Sequence, residues 1–448
     1  MSYIRKQIGW SNESNLLWEL LKKLDRLIGV TGSSTGGGSS TVELADSTQL
    51  DAFGRLRVSD EYTLADYKNI YGPDVNLLQL TGNGGSSTYS FDQSLIRLGL
   101  DGTPSGFSIC QSKMYHNYMA GKSQLTYISF NLNAAVATVT KDLGYFDAEN
   151  GIFLRQAGDG TLSIVLRTST SGSMTETVVG QSSWNVDKCN GTGASTFNID
   201  ITKTQLLYID FQWLAVGRVR VGFVHDGQAI VAHEFLNSNN LAIPYMSKPN
   251  LPVRAEIYGD AEASMDYICS TVISEGGYSE AGIDWSHVID PLVSVASGAT
   301  VPLLAIRLKD NFNTYPKNRM IVRLQDFNIT STNQPLVYRL LKLPNEAALT
   351  TATGWVSVST SGSGVEYNDG ATAINYVAPG VDILTSGYVS AAQSSKSALT
   401  QGSSSSARKN YIAQNYDSTD SEIYVIEVTN GGTNSTDVGI SMQWREIY

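Results

Sequence analysis

Charged side chains are scarce in this sequence. Asp, Glu, Lys and Arg make up 16% of its 448 residues, where an average soluble domain carries roughly 25%. Cations are the scarcer sign, with 31 Lys and Arg against 42 Asp and Glu and a formal net charge of -11. Proteins that track phosphate backbones need clustered Lys and Arg, so the balance argues against nucleic-acid binding. Three Cys and four His, scattered along the chain, supply neither a disulfide framework nor a zinc module. No apolar run approaches the roughly 20 residues that span a bilayer, and no membrane insertion is expected. Arg5 and Lys6 are not followed by an apolar stretch, so no secretory signal is read. What is plentiful is Gly (41), Tyr (23), Ser and Thr, alongside 42% hydrophobic residues. That composition suits a β-rich protein that presents surfaces, and at roughly 100–200 residues per domain the length allows two to four domains.

Residues 1–30 stand apart from the rest. Leu17, Leu20, Leu24 and Leu27 step by three and four, with Leu16, Leu21 and Ile28 widening the stripe and Glu19, Lys22, Lys23, Asp25 and Arg26 opposite. The period predicts an amphipathic helix over residues 11–28, with Ser11 or Asn12 as its N-cap and Gly29 as its stop. Residues 31–41 are a Gly/Ser tract, a flexible tether with a span of roughly 20 Å. A helix this short is marginal by itself in water. On such a leash its leucines must meet a copy of themselves, as in a coiled coil, or a groove on another protein. Ile8, Trp10, Leu16, Leu17, Leu20, Leu21, Leu24 and Leu27 are therefore the expected partner-binding residues.

Residues 42–75 read as a connector arm, with a short strand around Leu56 and Val58. From 76 to 285 turn markers such as Gly82-Asn-Gly-Gly85, Asp159-Gly160 and Asp226-Gly227 separate alternating runs, the pattern of antiparallel strands. Leu207, Ile209, Phe211 and Trp213 face one way and Tyr208, Asp210 and Gln212 the other, followed by Val219, Val221 and Phe223 and then by residues 230–235. This is a three-stranded meander. Residues 286–448 carry a second set of strands, with Ser-rich loops expected at 359–364 and 393–406. The predicted fold is mainly β: an N-terminal amphipathic helix, then two antiparallel β-sandwich or jelly-roll domains.

Signatures of chemistry are few. There is no G-x-S-x-G elbow, no H-E-x-x-H, no phosphate-binding lysine loop and no dinucleotide fingerprint. His225 and His233 flank one hairpin and could approach each other, but two imidazoles without a third ligand make a poor metal site. Asp210 and Glu234 are the candidate carboxylate pair for sugar cleavage. Asp210 lies opposite the apolar stripe, so a solvent-facing carboxylate is the simpler reading. Cys110, Cys189 and Cys269 read as small buried hydrophobes. Trp184, Tyr208, Trp213 and Tyr258 are candidates for a sugar-stacking surface, with Trp213 better placed in the core. Arg218 and Arg220 either meet acids at a subunit interface or solubilise an exposed sheet face. No catalytic residue, cofactor or metal ligand is assigned.

Four segments carry a family resemblance: residues 8–25 (IGWSNESNLLWELLKKLD), 51–59 (DAFGRLRVS), 211–223 (FQWLAVGRVRVGF) and 245–254 (YMSKPNLPVR). Together they resemble virion structural proteins of tailed bacteriophages. The resemblance implies a concanavalin-like or jelly-roll middle domain, a homotrimer, and partners among the other virion proteins of tail, baseplate, portal region or capsid. It implies a non-enzymatic component of the particle, assembled in the host cytoplasm: a tail-fibre or baseplate-associated fibre or adaptor protein docked through its N-terminal helix. A capsid-attached head fibre or decoration protein is the alternative within that class. A host-glycan-binding module or a depolymerase is the alternative outside it.

Overall fold

Alternation and turn chemistry build the first sandwich. The computed structural model describes residues 51, 61–279, 281–391, 394–398, 411–416 and 418–448. The predicted helix with its eight partner-binding residues, the Gly/Ser tether and the short strand around Leu56 all lie outside the described residues. The meander is present as Gln205–Phe211, Val219–His225 and Gln228–Phe235. Asp226 and Gly227 both take positive φ, 49° and 76°. A two-residue hairpin needs this to match strand twist, and Gly adopts it without strain. The register sets Leu207 against Phe223, Ile209 against Val221 and Phe211 against Val219. All six side chains are fully buried, and each contributes about 1.5–3 kcal/mol by leaving water.

These strands form one end of an eight-stranded sheet that continues through Ser123–Asn131, Glu262–Glu275, Leu95–Asp101 and Gly85–Ser90. Glu61–Lys68, inside the stretch read as a connector arm, pairs with the second half of Glu262–Glu275 and buries Ala65 and Tyr67 in the core. The facing sheet has seven strands in the order Thr175–Gly180, Leu162–Thr168, Gly151–Gln156, Val139–Phe146, Val253–Gly259, Gly106–Ser112 and Leu77–Gly82.

Ile283–Val288 pairs with Thr436–Ile447 and opens the second sandwich. One of its sheets is centred on Thr436–Ile447 and Ile321–Ser331, the other on Thr300–Leu308, Ile423–Asn430 and Leu336–Leu343. Leu304, Ile306, Val322, Leu340, Ile426, Met442 and Trp444 fill the space between them. Within the Ser-rich stretch expected to be a loop, Ser394–Ala398 instead forms an edge strand on Ile321–Ser331. Backbone pairing overrides the weak strand preference of serine there. Among the described residues the only helical elements are two short 3₁₀ turns, Gln181–Ser183 and Glu346–Ala348.

A buried seam joins the two sandwiches. Met114 of the first packs with Ile321, Tyr411, Ala413 and Ile447 of the second. Beside them Glu422 receives Lys113 from the first sandwich at 2.8 Å and Lys342 from the second at 2.8 Å. Its Oε2 also accepts the Ala413 amide at 3.1 Å. Burial opposes the Glu422 charge, but Lys342 and Lys113 outweigh it and hold the carboxyl below the usual glutamate range.

Candidate functional site

Above that seam the loops of the two sandwiches leave a cleft of about 280 Å³. From the first sandwich come Tyr115, the turn Asp147–Glu149, the segment Ser247–Asn250 and Arg254; from the second come the loop Phe312–Met320, Tyr416 and the terminal Tyr448. The Phe312–Met320 loop is pinned where Phe312 and Tyr315 exchange backbone hydrogen bonds at 3.1 and 2.9 Å. This holds the Tyr315 ring out at the rim, where it is 53% exposed. Phe312 and Tyr448 lie with ring centroids 5.8 Å apart. The walls are thus aromatic.

Cations sit over several of those rings. The Arg319 guanidinium lies 4.7 Å from the Tyr115 centroid, Arg254 5.0 Å and the Lys317 ammonium 5.8 Å from Tyr416, and the Lys248 ammonium 4.9 Å from Tyr315. Such contacts are worth about 0.5–2 kcal/mol each and hold the ring planes in place. Lys248 is paired with Glu149 at 3.4 Å, and Arg254 with Glu256, while Arg254 also donates to the Tyr416 hydroxyl at 3.0 Å. Arg319 donates instead to the carbonyls of Asn415 and Tyr416, at 2.8 and 2.6 Å, and its Nε is buried without an acceptor. Asp147 turns its Oδ1 to the amides of Glu149 and Asn150, both at 2.8 Å. Desolvation pushes the Tyr115 hydroxyl well above the ordinary tyrosine range, so it stays protonated.

The residues singled out from sequence fare differently. Asp210 is fully buried rather than solvent-facing: Arg220, its cross-strand partner, donates Nε to it at 2.8 Å, and Ser123 donates its hydroxyl. On the same outer face Leu125, Tyr208 and Ile273, from the neighbouring strands of that sheet, form a small buried cluster beside Asp210, so period-two alternation does not mean exposure there. Arg220 therefore serves neither a subunit interface nor a solvated face, while Arg218 meets the Asp51 carbonyl at 3.3 Å, where the chain enters the sandwich. Glu234 lies 4.0 Å from Arg218, and the register sets it across from Arg220 on the side away from Asp210, so an arginine stands between the two carboxylates. His225 and His233 do not approach: His225 pairs with Gln228 and His233 with Val221, at opposite ends of the hairpin. His225 stacks on Phe197 and His233 meets Phe235 edge-on. Cys110 and Cys189 are buried, each thiol pushed up to about 12 by desolvation, whereas Cys269 is half-buried.

Trp184 and Tyr208 are buried, and Trp213 is half-buried with its Nε1 donating to the Met246 carbonyl at 2.9 Å. Only Tyr258 of that set is exposed, so the four form no common platform. The pair that does meet was not singled out. Asp142 and Glu256 are cross-strand neighbours on the outer face of the seven-stranded sheet. Arg155 grips Asp142 with two bonds of 2.8 and 2.7 Å, and Arg254 grips Glu256. Burial raises Asp142 to about 6 against the pull of Arg155, with the Glu256 charge adding to the rise. Both carboxylates are held in ion pairs that cross between strands or run along one. Among the described residues no group of three or more His, Cys, Asp or Glu is placed to hold a metal ion.

No family model matches this chain, and no curated protein matches it. Solved structures overlap it in part. A protein of unknown function from Shewanella oneidensis MR-1 is 9% identical, covering 55% of this chain and 100% of its own, with a TM-score of 0.33. The CBM2 module of the evolved Dit of Lactobacillus casei BL23 phage J-1 is also 9% identical, over 49% of this chain and 98% of its own, with a TM-score of 0.33. The exoplasmic/lumenal domain of VIP36, in its Ca2+/Man3GlcNAc-bound form, is 10% identical over 49% and 90%, with a TM-score of 0.28.

Proposed function

We infer that this chain is a non-enzymatic structural component of a tailed-phage particle, a tail-fibre or baseplate-associated adaptor that docks through its N-terminal leucine stripe. One observation supports the reading above the others. Two sandwiches that could have been beads on a string are welded by a buried seam, Met114 with Tyr411 and Ile447 and Glu422 between two lysines. A load-bearing spacer needs that stiffness, whereas an ordinary interdomain contact leaves relative motion as the default. Earlier in the sequence, a leucine stripe followed by a Gly/Ser tract needs a second surface to cover it.

The full-length chain with Leu20→Glu and Leu24→Glu tests the docking. Light scattering coupled to size exclusion is expected to give a trimer for the wild type and a monomer for the variant, with unchanged thermal unfolding of the sandwiches. A monomeric wild type would remove the self-associating form of the proposal. A map of the particle with this chain located separates the tail or baseplate position from the capsid-attached alternative.

A further inference from the structure

We propose that the cleft between the sandwiches binds an anionic saccharide, a sugar carrying a carboxylate or a phosphate. Among the described residues it is lined by the cations Lys248, Arg254, Lys317 and Arg319, with Asp147 and Glu149 as the acidic side chains, in a chain whose net charge is -11. Glu149 neutralises Lys248 and Glu256 neutralises Arg254. Among the described residues neither Lys317 nor Arg319 carries a carboxylate partner, and the Arg319 guanidinium is held at its place by two backbone carbonyls. A fixed guanidinium and an ammonium with no acid of their own are the groups that take up a carboxylate or phosphate.

The remaining lining fits the sugar itself. Tyr315 and Tyr448 stand 53% and 45% exposed at the rim. Their rings offer flat apolar faces to the C–H side of a pyranose, and the Tyr448 hydroxyl, which donates to the Gly362 carbonyl at 3.1 Å, keeps its oxygen as an acceptor for a sugar hydroxyl. At about 280 Å³ the space lies near the lower end of small-ligand clefts, roughly 300 Å³. That suits a short segment of glycan rather than a folded partner. Arg254 of the first sandwich bonded to the Tyr416 hydroxyl of the second, and Arg319 of the second stacked over Tyr115 of the first, tie the two walls together, so the site is formed before the ligand arrives. The site stands whether or not the chain belongs to a particle.

Isothermal titration of the full-length chain tests it with four probes: a trigalacturonate, a hexose phosphate, a neutral trisaccharide and adenosine monophosphate. One or both anionic sugars are expected to bind, with the neutral trisaccharide about tenfold weaker or worse. Whichever of the two binds names the source of the anion. Lys317→Gln is expected to weaken the anionic sugar about fivefold to tenfold while leaving thermal unfolding unchanged, and Tyr315→Ala to weaken it similarly. Failure of both anionic sugars to bind would overturn the proposal. So would unchanged affinity in both variants, or tighter binding of the nucleotide than of either sugar.

Discussion

Glu422→Gln isolates the charge that joins the two sandwiches. Glutamine keeps the shape and an oxygen for the Ala413 amide, which Glu422 receives at 3.1 Å, but removes the charge facing Lys113 and Lys342. Lys342 is 11% exposed and Lys113 22% exposed at the side chain. One ammonium is thus left almost fully buried without an anion, and the other is partly screened by solvent. Removing one partner of a buried ion pair costs about 3–5 kcal/mol; discounting for the wetter Lys113 puts the expectation near the lower end, about 3 kcal/mol. For a sandwich of this size that is a fall in melting temperature of about 6–12 °C at neutral pH, readable by calorimetry or circular dichroism.

The pH dependence supplies a second readout. The folded-state pKa of Glu422 is depressed. Its contribution is therefore fully present above the ordinary glutamate value of 4.5 and is lost as pH falls through the lower folded value. The gap between wild type and variant should narrow in that acid window. Around it stand the two lysines and the protonated Tyr411 and Tyr424 hydroxyls, whose pKa values are raised by burial, with Asp382 near Lys342 and Asp74 near Tyr411; those two carboxylates are common to wild type and variant, so the gap between the two proteins reports Glu422. A variant melting within about 1 °C of wild type at neutral pH, or a gap that persists unchanged in acid, would refute the reasoning.

Asp210→Asn is expected to destabilise the first sandwich by about 3 kcal/mol in urea unfolding, because it takes the charge from the carboxylate that receives the buried Arg220 guanidinium, Nε at 2.8 Å; an effect below about 1 kcal/mol would mean the guanidinium is held as well without it. His116 accepts the Tyr67 hydroxyl at 2.9 Å and donates Nδ1–H to the Leu251 carbonyl at 2.9 Å, and burial lowers its pKa to about 4. The unfolded state binds the extra proton between the ordinary value of 6.5 and that folded value, so wild type should lose roughly 3 kcal/mol as pH falls from 6.5 to 4. His116→Gln should show a flatter profile in the same urea titrations, and parallel profiles would sink the assignment.

The strand pattern was legible because each strand buries one face completely. Residues 207–211 and 219–223 alternate as period two requires, and Asp226-Gly227 admits few structures other than a tight hairpin. Asp210 was misread for a specific reason. Alternation says which face a residue is on, not whether that face is buried, and on this one Leu125, Tyr208 and Ile273 form a buried cluster. Glu61–Lys68 was missed as a core strand because its sequence pairs with residues 269–275, two hundred positions away, and nothing local announces that.

The amino-acid order alone determined the β architecture, because hydrophobic period and turn residues act over a few neighbours. The cleft is different. Tyr115, Lys248, Tyr315, Arg319, Tyr416 and Tyr448 come from distant loops of both sandwiches, and no spacing among them carries a signal. Only the tertiary structure set Glu422 between its two lysines and aligned those loops, since a site shared by two bodies exists only once the seam between them has closed.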